Sequence, residues 1–362
     1  MTMAVAADIL QSAFAQQVRW NEKLGAPFTA RAIALAAAAI DQGPGAYLLG
    51  LAGPDPVDGA FALRLAGAFH ALALTRRDQR LARIYTDLRT ADLSVEIIAE
   101  TLRHHQDFIT AFVASPPQTN EIGRSAALLG GFLLLAQRFA MPFRLIEIGA
   151  SAGLNQAWHR FFYQTPTWSW GDPSSPVQLT PDWVGPSPVL TTARITQSIA
   201  CDVAPIDIAD PDAVLRLRSY VWAEQPARLA RLDAAIALAR DLGVRVKKAD
   251  ARAFIAQNFA PTPGNLTILF HSVMWNYLSE ADRTAISAQL DGQMRAATAQ
   301  APLAWLRLEP VAGALAASGD APSGFVHAVQ LDIGAGPDCQ IREQILGYSH
   351  PHGAQINWRG PI

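Results

Sequence analysis

Cysteine is scarce in this chain: two in 362 residues. Cys201 and Cys339 stand far apart, with none of the spacing that marks a zinc site or a disulfide framework. Charge is also sparse, at 17% of residues, and 29 basic against 31 acidic side chains leave a net −2. That balance carries no overall electrostatic footprint for nucleic acid, so no nucleic-acid partner is expected. No apolar run reaches the roughly 18 residues that a membrane span needs. The opening stretch MTMAVAADILQSAFAQQ lacks the basic region and long apolar core of a secretion signal. The reading is a mature cytoplasmic protein without a membrane partner. Half of the residues are hydrophobic, which excludes a disordered chain and supplies a substantial core for one large domain or two.

What is present centres on PFRLIEIGASAGLN, residues 142–155. A short apolar run ends at Gly149, a turn of small residues follows, and LNQAWHRFFY then shows helical spacing. Strand, small-residue turn and helix form the pattern of a nucleotide-binding unit, in which a ligand approaches bare backbone and the first N–H groups of a helix. Glu147 adds an acceptor at the strand end. The second glycine of a dinucleotide fingerprint is replaced by Ser151, which disfavours NAD or FAD. Gly149-Ala-Ser151-Ala-Gly153 also reads as G-x-S-x-G, the nucleophile elbow of serine hydrolases. A tight turn without a ligand is the third reading.

Residues 1–140 read as helical, with segments Ala4–Lys23, Phe28–Asp41, Val57–Leu74, Ser94–Ala114 and Glu121–Phe139 separated by Pro/Gly breaks. The first credible strand is the one bearing Glu147. A hydrolase elbow normally follows several strands, so this order disfavours it; His350 and His352 are the histidines that reading would need. In QTNEIGR, Thr119 or Asn120 is positioned to cap the next helix, and the guanidinium of Arg124 to clamp a carboxylate.

Residues 141–362 read as alternating strands and helices. A helix is expected over Leu154–Tyr163, then a Trp- and Pro-rich insertion at about 164–190 that is read as an ordered lid. Strands follow at Ala193–Cys201, Val244–Ala249, Leu266–Phe270 and Leu303–Leu308, then a closing pair at Val326–Ile333 and Gln340–Leu346. The strand ends carry Glu147, Asp202, Asp250, His271 and Glu309, the edge at which open α/β sheets hold ligands. The expected fold is α/β: a mostly parallel, seven-stranded Rossmann-like sheet of the class I methyltransferase type, closed by a β-hairpin. An all-helical domain precedes it.

The motifs QTNEIGR, LIEIGASAGLN, CDVAPID, VWAEQPARLARLDAAIALA, the ADA of residues 249–251, FHSVMWNYL, LRLEP and SHPHG together resemble a bacterial family catalogued as domain of unknown function 2332. The resemblance covers nearly the whole chain. It implies a methyltransferase-like domain that uses S-adenosylmethionine and acts on an unnamed small-molecule acceptor. On that resemblance Glu147, Gly149, Ala150, Ser151, Gly153 and Asn155 hold the methionine and ribose end of the cofactor. Asp202 matches the ribose acid, with Asp207 as competitor, and Asp250 with Ala251 the adenine end. His271 is the expected base or substrate-orienting residue, Tyr277 and Trp275 wall the acceptor, and Glu309 orients substrate or balances Arg124. His350 and His352 either reach the same rim or form a terminal turn, and no metal is assigned to them. A cofactor-binding protein without transferase activity remains the rival reading, followed by the hydrolase.

Overall fold

The computed structural model describes residues 3–41, 43–57, 59–311, 326–337 and 339–360. The chain forms two compact units: Met1–Thr119 with Asp210–Ala230, and Asn120–Ala209 with Arg231–Ile362.

The first unit contains α1 (Met3–Lys23), α2 (Pro27–Asp41), α3 (Phe61–Leu74), α4 (Gln79–Asp87), α5 (Val95–His104) and α6 (Gln106–Val113). After α7 (Arg124–Phe139), which belongs to the second unit, α8 (Pro211–Ser219) returns to the first. The apolar faces meet in a core that includes Phe14, Phe61, Phe69, Leu72, Ile98 and Leu102. The side chain of Asp78 accepts the Leu81 N–H at 2.8 Å and starts α4, a capping contact that satisfies an otherwise orphaned donor. The helix expected over Ser94–Ala114 breaks at His105 into α5 and α6. The returning segment is tied in by Glu224, whose carboxylate accepts the Thr29 N–H at 3.0 Å and its hydroxyl at 2.6 Å.

The second unit is built on a sheet. Its strands are β1 (Phe143–Ile148), β5 (Asp182–Val184), β6 (Ile195–Asp202), β7 (Lys247–Lys248), β8 (Leu266–Ser272), β9 (Leu303–Pro310), β10 (His327–Gly334), β11 (Gln340–Ser349) and β12 (Gln355–Trp358). Among the described residues these nine strands lie in the order β5-β12-β11-β10-β9-β8-β1-β6-β7. Pairing is parallel from β7 through β9, antiparallel from β9 to β12, and parallel again between β12 and β5. The closing hairpin expected from the sequence is therefore part of a longer meander, because a further short strand, β12, follows the SHPHG turn.

Side chains of β9 alternate between the two faces. Leu306 lies against Gly131 of α7, whereas Trp305 joins Ile146, Ile148 and Leu269 in a core completed by α10 (Ala251–Asn258) and α11 (Glu280–Ala296). Covering one sheet face is what places α7 in this unit, although its spacing resembles that of the preceding helices. The remaining helix, α9 (Pro226–Asp241), runs from one set of residues into the other.

The helix expected over Leu154–Tyr163 is instead a 3-10 segment, Leu154–Arg160, that gives way to β2 (Phe162–Gln164). Aromatic stacking fixes this path: Trp158 lies on Phe132 of α7 at 4.2 Å between ring centroids, with Trp170 on its other side at 5.6 Å. The insertion contributes β3 (Ser169–Trp170) and β4 (Gln178–Leu179), which pair with β2 in a small sheet. Trp183 of β5 packs edge-on to Trp168 at 4.9 Å and touches Trp358 of β12 at 5.5 Å. The stretch read as a lid is thus fastened to the β12 edge of the sheet.

Candidate functional site

The turn after β1 is pinned from two sides. The Ala150 N–H donates to the Cys201 carbonyl at 3.0 Å and the Ser151 N–H to the Asp202 carboxylate at 2.8 Å. The other carboxylate oxygen of Asp202 accepts the Ala204 N–H at 2.9 Å, so this one side chain orders the ends of both β1 and β6. The turn is not relaxed: Ser151 sits at φ +53°, a region that non-glycine residues enter at a cost. Gly149, at φ +62°, is fixed by close approach as well, since a Cβ there would lie 2.7 Å from Cβ of Met274.

Two polar groups in this turn lack partners among the described residues. Glu147 is buried, and its Oε2 makes no hydrogen bond; neither does the buried hydroxyl of Ser151. Burial, reinforced by the Asp202 charge, holds the Glu147 carboxyl well above the usual carboxylate range. The same causes push the neighbouring Cys201 thiol up to about 12, which leaves it unreactive.

The segment preceding α7 is stitched to this turn. Asn120 accepts the Leu154 N–H at 2.9 Å, and Asn155 accepts the Ser125 hydroxyl at 2.8 Å while donating to the Glu121 carbonyl at 3.3 Å. Asn120 therefore does not cap α7, whose N-cap position is Gly123. Nor is the Asn155 amide directed to a ligand; it positions the loop. The backbone of Gly123 runs so close to that of His352 and Gly353 that a Cβ would collide with the His352 carbonyl. QTNEIGR and SHPHG are thus halves of one packing contact.

That contact lies beside the ends of β8, β9 and β11. Arg124 donates from Nε to the Pro351 carbonyl at 3.0 Å and from Nη1 to the Ser272 carbonyl at 3.4 Å. Glu309 organises the turn after β8: its Oε1 accepts the Met274 N–H at 3.1 Å and its Oε2 the Trp275 N–H at 3.3 Å. Val273 is held there at φ +53°, a strained position for a β-branched residue. Oε1 of Glu309 also meets Nδ1 of His271 at 2.6 Å, and the Trp305 indole donates to Nε2 of the same ring at 3.0 Å. An indole N–H only donates, so Nε2 is an acceptor and Nδ1 carries the proton.

Several expectations need correction. His271 is fully buried and both ring nitrogens are engaged, so it has no lone pair to offer a substrate and acts as a positioning residue for Glu309. Tyr277 is 84% exposed in the turn after β8. Asp207 accepts the Ala209 N–H at 2.9 Å and so shapes its own turn, which the N–H of Ile206 ties to the Ser151 carbonyl at 3.1 Å. Asp250 caps α10 through one oxygen, which accepts the Ala253 N–H at 3.0 Å, so the cap does not remove it from the adenine role, and Ala251 is buried in the first turn of that helix. No histidine meets the Ser151 hydroxyl, so the hydrolase constellation is not assembled among the described residues. No group of three or more His, Cys, Asp or Glu among them could hold a metal ion.

The structure also brings in residues that the sequence reading passed over. Met274 bridges the two halves of the edge, with its side chain against Gly149 and its N–H on Glu309. His327, the first residue of β10, is buried beside Arg124, Glu309 and His350. Its only signal in the sequence was a polar residue opening an apolar strand.

The family model for an uncharacterized protein conserved in bacteria, domain of unknown function 2332, matches residues 11–358, and the chain belongs to that family. No curated protein and no solved structure matches it. No helix among the described residues is long and apolar enough to cross a membrane.

Proposed function

We propose that this member of the domain of unknown function 2332 family is a methyltransferase that binds S-adenosylmethionine and acts on a small-molecule acceptor. The observation that carries the reading is the meeting of the turns after β1 and β8, where Gly149 abuts Met274. The parallel strands run β7-β6-β1-β8-β9, which is 3-2-1-4-5 in order of appearance. In such sheets the order reverses between the first and fourth strands, and the crevice outside their carboxyl ends holds the ligand.

The residues at that crevice suit an adenosyl sulfonium. Its methyl-bearing sulfur is positively charged, which suits the carboxylate of Asp202, while burial favours the neutral form of Glu147, able to donate as well as accept a hydrogen bond. Glu147 Oε2 and the Ser151 hydroxyl are buried and unpartnered, which suits a ligand that brings its own donors and acceptors. A carboxylate offers about four lone-pair sites, so Asp202 retains capacity for ribose hydroxyls beyond its two backbone contacts. Asp250 and Ala251 lie at the start of the helix after β7, where the adenine end would rest. The cofactor supplies the methyl group; the chain supplies alignment, exclusion of water and a fixed acceptor geometry.

Calorimetric titration with S-adenosylmethionine and S-adenosylhomocysteine, with NAD as control, tests this. Saturable binding of both adenosyl ligands and none of NAD is expected, weakened at least tenfold by Asp202→Ala. Absence of adenosyl binding, or equal binding of NAD, would overturn the reading.

A further inference from the structure

We infer that Arg124 and His327 together bind a carboxylate group on the acceptor, an inference about the substrate end of the site that rests on the methyltransferase reading. The pairing register sets His327 opposite Pro310 of β9 and Ser349 of β11, next to Glu309 and the SHPH turn. The residue is 6% exposed, and its Nδ1 makes no hydrogen bond among the described residues. A buried polar atom without a partner forfeits about 1–3 kcal/mol unless something satisfies it.

The surroundings say what would. Burial and the Arg124 charge, with a smaller contribution from His350, hold the His327 imidazole down at about 4 against the opposing pull of Glu309. The ring is therefore neutral at physiological pH and has one N–H to donate. The carbonyls of Pro351 and Ser272 orient Arg124, and its planar guanidinium is suited to carboxylate geometry. One carboxylate oxygen on the guanidinium and the other on the imidazole N–H would use both groups. Glu309 does not take that group: His271, Met274 and Trp275 occupy three of its roughly four lone-pair sites, and no hydrogen bond joins it to Nδ1 of His327. Its proximity instead selects for a singly charged ligand and against a phosphate dianion. Met274 connects this patch to the turn proposed to hold the cofactor, since its N–H meets Glu309 and its side chain packs on Gly149.

The test uses the full chain with benzoate and with benzamide, a neutral probe of the same shape, read by calorimetry and by the His327 ring resonances in NMR. Benzoate should bind saturably and shift His327, and benzamide should do neither. Arg124→Lys, which keeps the charge but not the planar fork, should weaken benzoate at least tenfold. His327→Phe should act likewise, and His327→Asn should recover part of the affinity. Equal binding of the two probes, or benzoate binding indifferent to Arg124→Lys, overturns the carboxylate site. Titration with S-adenosylhomocysteine separates the two ideas. Its binding without benzoate capture removes this inference alone, and benzoate capture without it keeps the carboxylate site but removes the methyltransferase.

Discussion

The Trp305 indole donates to Nε2 of His271 at 3.0 Å, while Nδ1 of the same ring lies 2.6 Å from Glu309. One tryptophan on β9 thus selects the tautomer of a histidine on β8, which in turn grips the carboxylate that shapes the Ser272–Trp275 turn. Replacing Trp305 by Phe removes the donor and leaves Nε2 buried without a partner, at a cost of about 1–3 kcal/mol. Urea unfolding should show that loss. Nitrogen NMR of His271 should show that the proton no longer resides on Nδ1 alone. An unchanged ring spectrum in the variant would mean that Glu309 alone fixes the tautomer.

Glu147 gives a pH-dependent prediction. Its folded-state pKa is raised by burial and by Asp202. A group that holds its proton more tightly when folded contributes stability that is present below its unfolded pKa and is lost as pH rises. Glu147→Gln does not titrate, so it should match the wild type in stability near pH 4 and exceed it increasingly above pH 5. Thermal melts across that range check the sign, and a difference that shrinks with rising pH would contradict the account.

Val273 at φ +53° stores backbone strain of about 1–3 kcal/mol, held in place by the two backbone contacts to Glu309. Val273→Gly adopts that conformation freely, so the strain is relieved while the unfolded chain gains entropy. A net stabilisation of about 1 kcal/mol is expected in denaturant titration, with the turn loosened. If turn geometry matters to the site, S-adenosylhomocysteine should bind the variant more weakly despite its greater stability.

The central strands and the glycine turn were legible because each carries a local signal: β1, β8 and β9 are short apolar runs between breaks, and 149–153 has only small residues. Three features had no such signal. Helix α4 lies in an arginine-rich stretch whose buried face is Leu81, Ala82, Ile84 and Tyr85. Strand β12 spans only Gln355–Trp358 and depends on its partners. The 3-10 path after Gly153 is imposed by Phe132 stacking on Trp158, a contact from a helix earlier in the chain. At the site, residue type was a sound guide to place and a poor guide to role. His271 does sit at the sheet edge, but Trp305 and Glu309 occupy its nitrogens, and spacing alone cannot reveal such pairings.

Because Asp210–Ala230 belongs with Met1–Thr119, neither unit is a contiguous piece of the gene product. A fragment ending at Thr119 would leave Thr29 without Glu224 and the helical core without Tyr220. On the ribosome the same interleaving imposes an order of completion. The first helices emerge early but cannot close their core until the strands from β1 to β6 have been made, a wait on the order of ten seconds at ~5–20 residues per second. Through that interval the nascent chain carries an unfinished apolar surface, which makes it a natural client for a chaperone.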